Sequence, residues 1–331
     1  MRGIHASPFA PLPTFMIVRK RPSGLKLFLS WRGSVLPRIA AALTLNVIVA
    51  IVVTVLHGRF GSIKIPLGTV PFALLGLPLA IFLGFRNTAA YDRFWEARKL
   101  WGEVILRSRN LARQCQSLID DDAPVNAGAD TVRRLDDLRV RMTLRAAAFA
   151  HALRHQLRGT DAAADTRPFL REAEWQGLTQ VANRPHALLM HMGADLREAL
   201  HAQRIDPALA AGVDGTLSAL SGAAASCERI LSTPIPFSYT LLLHRTAYLY
   251  CYLLPFGLVD SVGFMTPVVV LIVAYTFFGL DALGDEIEEP FGTESNDLPL
   301  EALCRTLEID LCQSVGAPAP APMVPVDYFL R

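Results

Sequence analysis

Residues 65–85, IPLGTVPFALLGLPLAIFLGF, contain no charged side chain, and they run directly into RNTAAYDRFWEARKLWG, which is dense in charges and aromatic rings. At about 1.5 Å of rise per residue, an uncharged helix of that length spans a hydrocarbon core of about 30 Å. No loop-type residues interrupt the join. The sequence therefore predicts one helix that crosses a membrane and continues, with its charges paired, into water.

Composition agrees. Hydrophobic residues make up 52% of the 331-residue chain, and charged residues only 19%. The mean hydropathy of +0.32 is high for a soluble domain. Charge is concentrated outside four apolar segments, and the predicted spans are about 39–56, 65–85, 242–259 and 261–280. The third span is interrupted by His244 and Arg245 near its start, so its helix begins in water and enters obliquely. A net charge of +2 suggests no nucleic-acid partner. Five scattered cysteines have no metal-type spacing and suit reduced thiols in a cytoplasmic setting.

Basic residues set the orientation. Arg19, Lys20, Arg21, Lys26, Arg32 and Arg38 precede the first span, and Arg86, Arg93, Arg98 and Lys99 follow the second. The 57–64 loop and the turn near Asp260 are nearly free of them. The positive-inside rule then places both termini and the polar block in the cytoplasm, as expected of a protein of the plasma (inner) membrane. Residues 1–15 are Pro-rich with no long apolar run: either a disordered extension, or sequence upstream of a true start at Met16.

Between the second and third spans, residues 86–235 read as helices. Leu135, Leu138, Met142 and Phe149 recur at helical spacing, and Gly159 ends that segment. A second helix is expected over about Pro168–Arg184, a third from Pro185, and a fourth from Asp206-Pro207 to Leu231. No strand pattern competes. The fold class is all-α: a multi-span helical membrane protein with a contiguous cytoplasmic helical domain, ending in a C-terminal helix and Pro-rich tail over 303–331.

Leu77, Ile81 and Phe85 lie at i, i+4 and i+8 of the second span and share one face. Gly76, Ala80 and Gly84 form a neighbouring small strip that would let a second pore helix approach. Pro78 removes the usual helical donor from the carbonyl of Leu74. By spacing alone, this face fits either an apolar pore constriction built from several copies or an ordinary packed helix.

Phe85–Gly102 resembles the inner end of the pore helix in the bestrophin family. Leu29–Ser34 (LSWRGS), Ile235–Tyr239 (IPFSY), Pro255–Leu258 with Gly279-Leu280, and Glu289–Gly292 followed by Asn296-Asp297 are similar to further family elements, in the same order. The resemblance covers about 16–302. It implies a pentameric passive ion channel, with Leu77, Ile81 and Phe85 on the three neck positions and a cytoplasmic aperture at Ala187 or Leu188. By the family's usual assignment the ion is chloride or another anion, although some bacterial members resemble sodium- or potassium-selective channels. The expected partners are four further copies of the chain, membrane lipid and permeant inorganic ions. Arg133, Arg134, Arg139, Arg141 and Arg145 face Asp130, Asp136 and Asp137 in the balance of vestibule charge.

In animal members an acidic run after the PFG element clasps calcium. Here Glu294 and Asp297 are the candidate ligands, set against a local capping role. No cofactor is the favoured expectation. Asp285, Glu286, Glu288 and Glu289 are expected to pair with Arg93, Arg98 and the N-terminal basic residues in a structural belt joining subunits. His151 and His155, at i, i+4, lack an adjacent acidic ligand in sequence and read as a solvated face. Tyr91, Phe94, Trp95 and Trp101 read as interfacial and intersubunit packing. No nucleophile elbow, triad or phosphate loop suggests an enzyme. The rival classes are a non-conducting membrane scaffold and a metal-dependent membrane enzyme on the acidic cluster.

Overall fold

The structure is a computed structural model that describes residues 16–17, 24, 30, 33–60, 63–64, 68–120, 135–325 and 329–330. The proposed N-terminal extension, Arg19, Lys20, Arg21, Lys26, Trp31, Arg32, Asp130, Arg133 and Arg134 lie outside these residues. The described chain is all-α apart from two antiparallel pairs of two-residue strands, Met16–Ile17 with Phe329–Leu330 and Arg59–Phe60 with Ile63–Lys64.

The chain divides into two compact units. One comprises 19–95 and 234–290 and holds the apolar helices. Helix α1 (Leu36–Val55) starts with Pro37 in its first turn, where a missing N–H costs nothing. Helix α2 (Thr69–Leu118) is a single run of 50 residues with Pro78 inside it, so the membrane segment does continue into the charged one. Helix α8 (Phe237–Val262) and helix α9 (Thr266–Glu288) are joined by a 3-10 turn at Gly263–Met265. The sequence reading put that turn near Asp260, but Asp260 is helical. The reversal comes at Gly263, whose φ of 63° is cheap only for glycine. Three stretches are long and apolar enough to cross a membrane: Leu36–Val55, Thr69–Leu118 and Phe237–Glu288. The last of these folds back at Gly263. The unit's core gathers Ile39 from α1, Leu79 and Leu83 from α2, Leu243, Ala247 and Cys251 from α8, and Phe277 and Phe278 from α9.

The other unit comprises 1–18, 96–233 and 291–331. Its centre is α3 (Leu138–Arg158), capped by the Asp137 carboxylate accepting from the Arg139 N–H at 2.8 Å and stopped by Gly159. The single helix expected over Pro168–Arg184 is instead a broken connection. A short α4 (Ala163–Thr166) and a 3-10 turn at Arg167–Phe169 precede α5 (Glu172–Thr179), because Leu170 and Arg171 adopt extended backbone. Helix α6 (Arg184–His201) begins at an Asn183 cap. Helix α7 (Pro207–Ser232) begins at an Asp206 cap, whose carboxylate accepts from the Ala208 N–H at 2.7 Å. Helix α10 (Leu300–Ser314) packs on α3, and the Pro-rich residues 317–325 that follow have no regular secondary structure.

Arginines occupy the core of this unit with carboxylates beside them. Asp195 takes both Arg141, at 3.1 Å, and Arg145, which also reaches Glu174 at 2.6 Å. Burial alone would lower the Arg141 guanidinium, but hydrogen bonding and charge from Asp195, with Glu198 and Glu174 beyond, hold it above its ordinary value. Arg139 pairs with Asp137 at 2.8 Å. Arg139, Arg141 and Arg145 are therefore held in internal ion pairs.

Candidate functional site

The apolar half of α2 has two opposed faces. Phe72, Leu79, Leu83, Arg86 and Ala90 form a seam buried within the unit. Leu77 is 67% exposed, Ile81 46% and Phe85 62%. Two residues along a helix is about 200° of rotation, so Leu77 and Ile81 point away from the Leu79 seam. Phe85 meets Phe82 edge to face at 6.3 Å. The three expected neck residues thus share one outward face, and such a surface is stable only against lipid, another polypeptide or a dewetted pore.

The small-residue strip is only partly available to a neighbour. A Cβ at Gly76 would meet the Tyr250 hydroxyl at 2.8 Å, so Gly76 is the seat for a ring from α8 of the same chain. Ala80 and Gly84 remain exposed.

At the C-terminal end of the apolar face, Arg86 is fully buried and takes three carboxylates from α9. Its Nη1 donates to Asp281 Oδ1 at 3.0 Å, while Nη2 pairs with Asp285 and lies 3.4 Å from Glu288. His244 Nδ1 lies 2.6 Å from the other oxygen of Asp281. Glu288 also accepts from the Ile235 N–H at 3.1 Å, and its carbonyl accepts from Arg93 Nε at 3.2 Å. The guanidinium that holds Asp285 and Glu288 is Arg86 of the same chain, which the expected belt did not include, while the expected partner Arg93 does reach Glu288, through its backbone carbonyl. Sequence reasoning did not single out Arg86 or His244 as partners. The usable signal was Asp281, Asp285 and Glu288 at i, i+4 and i+7, three carboxylates on one face of a span, which demand a cation opposite. Close packing here depends on Gly284, where any Cβ would collide with Asn87 and press on Arg86.

Of the two residues expected at an aperture, Ala187 or Leu188, the structure removes Leu188. Leu188 is 0% exposed, and Ala187 is half-buried. The core register of α6 runs through Leu188, Leu189, Met192, Asp195, Leu196 and Ala199, which turns His186 and Met190 outward instead.

In the acidic loop after α9, the Asp297 carboxylate accepts from the Glu294 N–H at 2.6 Å, and the Asp297 N–H donates to the Glu294 carbonyl at 3.1 Å. Arg158 of α3 donates to the carbonyls of Phe291 at 3.1 Å and Leu298 at 3.4 Å and faces Glu301 at 3.5 Å. The residues considered for calcium thus form a local cap, and two of the loop's carbonyls already accept from a guanidinium.

The histidine pair is not a solvated face. His151 is 4% exposed, stacks on Phe169 at 5.9 Å and lies 3.4 Å from Glu308. His155 bridges Thr160 at 2.7 Å and Asp165 at 2.9 Å. Burial is the main influence that holds the His155 imidazole below its ordinary value, with Asp165 opposing. Among the described residues no cluster of three His, Cys, Asp or Glu side chains is arranged to hold a metal. Trp101 is fully buried inside its own unit, a core residue and not an intersubunit one, while Tyr91 and Trp95 are exposed.

A chain with these apolar helices, an outward apolar face and a sealed charge junction has the architecture of a helical membrane protein. Residues 16–313 match the family described as Bacterial/Fungal Bestrophin protein. The chain is 44% identical over 317 residues to a protein of Mesorhizobium japonicum named as a voltage-dependent anion channel-forming protein, covering 95% of this chain and 96% of that one. A protein of the same description from Escherichia coli is 40% identical over 315 residues, covering 95% and 99%. A crystal structure of a bacterial bestrophin homologue from Klebsiella pneumoniae superposes with a TM-score of 0.77 at 38% identity, over 85% of this chain and 99% of that one. The chain belongs to the bestrophin family.

Proposed function

We propose that this chain is the subunit of a passive anion channel, a homopentamer of the inner membrane with both termini in the cytoplasm. The observation that carries the reading is the outward face of Leu77, Ile81 and Phe85, directly opposed to the buried seam of the same helix, in a chain whose relatives are named for forming anion channels. One such helix encloses nothing. Five around an axis would stack these side chains into apolar rings, which resist ions by dewetting and need no charge to do so.

The reading does not require calcium. The hard cation seeks six to eight oxygen ligands, whereas Asp297 is engaged by the Glu294 N–H and Arg158 occupies the carbonyls of Phe291 and Leu298. These engagements support a channel that works without the ion, and currents should not respond to micromolar calcium.

Sign selection is the least constrained element, since an apolar neck does not choose between anion and cation. The relatives' description favours anions. The test is the purified protein in a planar bilayer under a sodium chloride gradient. Discrete current steps reversing near the chloride equilibrium potential are expected. Reversal near the sodium potential would replace the anion reading by a cation channel of the same fold, and silence would favour a scaffold. Native mass measurement in detergent should give five copies.

A further inference from the structure

The Arg86 junction carries more negative than positive charge. Three carboxylates, Asp281, Asp285 and Glu288, surround one fully buried guanidinium. The two oxygens of Asp281 are divided: Oδ1 is held by Arg86 at 3.0 Å, and Oδ2 by His244 Nδ1 at 2.6 Å. Asp281 is 2% exposed, whereas about half of the His244 side chain is left uncovered by its own chain, its ring lying against Tyr248 at 4.2 Å. His244 is thus the uncovered end of a relay that reaches Arg86, the residue next to Phe85.

We propose that His244 is a proton-operated latch on the inner end of the pore helix. This rests on the channel reading above. With a neutral imidazole, Asp281 has one full positive charge beside it and a neutral hydrogen bond on its second oxygen. A proton on His244 converts that bond into a charge-assisted one and cancels one of the excess negative charges. The α8–α9 contact then tightens around Arg86, and the Phe85 end of α2 is held where it stands. Histidine is the side chain that changes charge between about pH 5 and 8 without perturbation. The charged groups packed around it are Asp281, Asp285 and Glu288 on α9, Arg86 on α2, and Arg245 beside it on α8. Arg38 on α1 and Glu286 on α9 have interactions of their own.

Opening of an apolar neck requires its side chains to move, so the latched state conducts less. Chloride flux from liposomes holding the full-length protein should fall about fivefold between pH 8 and pH 5.5, the size expected when a neutral hydrogen bond becomes a charged one. His244→Gln keeps a donor without titrating, and its flux should be flat and high across that range. His244→Arg is permanently charged and should be flat and low. A wild-type profile without pH dependence, or His244→Gln retaining the wild-type profile, overturns the latch while leaving the channel intact. Absence of flux from the wild type at every pH overturns the channel reading and the latch together. Thermal melting of each variant in detergent separates a latch from misfolding: the variants should match the wild type's cooperative transition, and a lost transition together with lost flux counts against the latch.

Discussion

Helix α3 and the apolar half of α2 are built inside out with respect to each other. Helix α3 carries Arg139, Arg141, Arg145, Arg154 and Arg158 along 21 residues, yet nearly every side chain on it is buried. The most apolar window of α2 has a mean hydropathy of 1.7, yet only 22% of it is buried. A water-soluble domain would show the reverse. In α3 the charges are internal because each has a carboxylate or carbonyl beside it: Asp137 at the helix's own cap for Arg139, and for the others groups brought by different elements, among them Asp195 and Glu198 from α6, Glu174 from α5 and Asp165 from α4. In α2 the apolar side chains are external because the medium beyond them is not water. Hydrophobicity of sequence and depth of burial are thus uncoupled in this chain, and each helix reveals its surroundings by how it breaks the soluble rule.

The largest effect expected from this contrast lies at Asp195, which serves two buried guanidinium groups. Asp195→Ala should destabilise the unit by roughly 3–5 kcal/mol, because it strands Arg141 and Arg145 without their shared counter-charge. Thermal unfolding in detergent measures it, and a change below 1 kcal/mol would mean these arginines are solvated after all. Next come the two faces of α2. Leu79→Ala, in the seam, should cost roughly 2–5 kcal/mol of stability. Leu77→Ala, two residues away, should leave the melting transition nearly unchanged and act on ion flux instead. Equal melting losses would erase the distinction between the faces. Gly284→Ala should cost roughly 1–3 kcal/mol by overpacking against Asn87 and Arg86.

The smallest effect is at the α3 cap. Burial would raise the Asp137 carboxyl, but hydrogen bonds and charge from Arg139 outweigh it and the carboxyl sits below its ordinary value. A depressed carboxyl stabilises above its unfolded value of about 3.9 and loses that contribution as pH falls through the folded value. Asp137→Ala should cost roughly 0.5–2 kcal/mol at neutral pH and progressively less in acid, read from melting at a series of pH values.

Local signals carried much of the fold into the sequence. Gly159 and Asp206-Pro207 mark helix ends because capping is decided by neighbouring residues. The uninterrupted run from Phe85 into Arg86–Gly102 announced the long α2 for the same reason. What was not legible depended on partners distant in sequence. His151 and His155 looked solvated because Glu308 and Phe169, which close over His151, belong to other elements. Leu188 was placed at an aperture because the stretch was read by position, while the spacing of Leu188, Leu189 and Met192 marks the core side of α6. Gly76 was assigned to a neighbouring subunit because nothing near it in sequence names Tyr250. Arg86 was read as a topological signal because its three acids come from the far end of the chain.

The account stands or falls on whether the Leu77, Ile81 and Phe85 face lines the ion path, and cysteine substitution tests this directly. All five native cysteines are buried and free, so the wild-type background should not respond to a charged, water-borne thiol reagent. In Ile81→Cys channels, single-channel current in a planar bilayer should change stepwise as the reagent adds, while wild-type current stays constant. An Ile81→Cys current that is unaffected by prolonged exposure would place that face against lipid or a neighbouring helix and contradict the pore assignment.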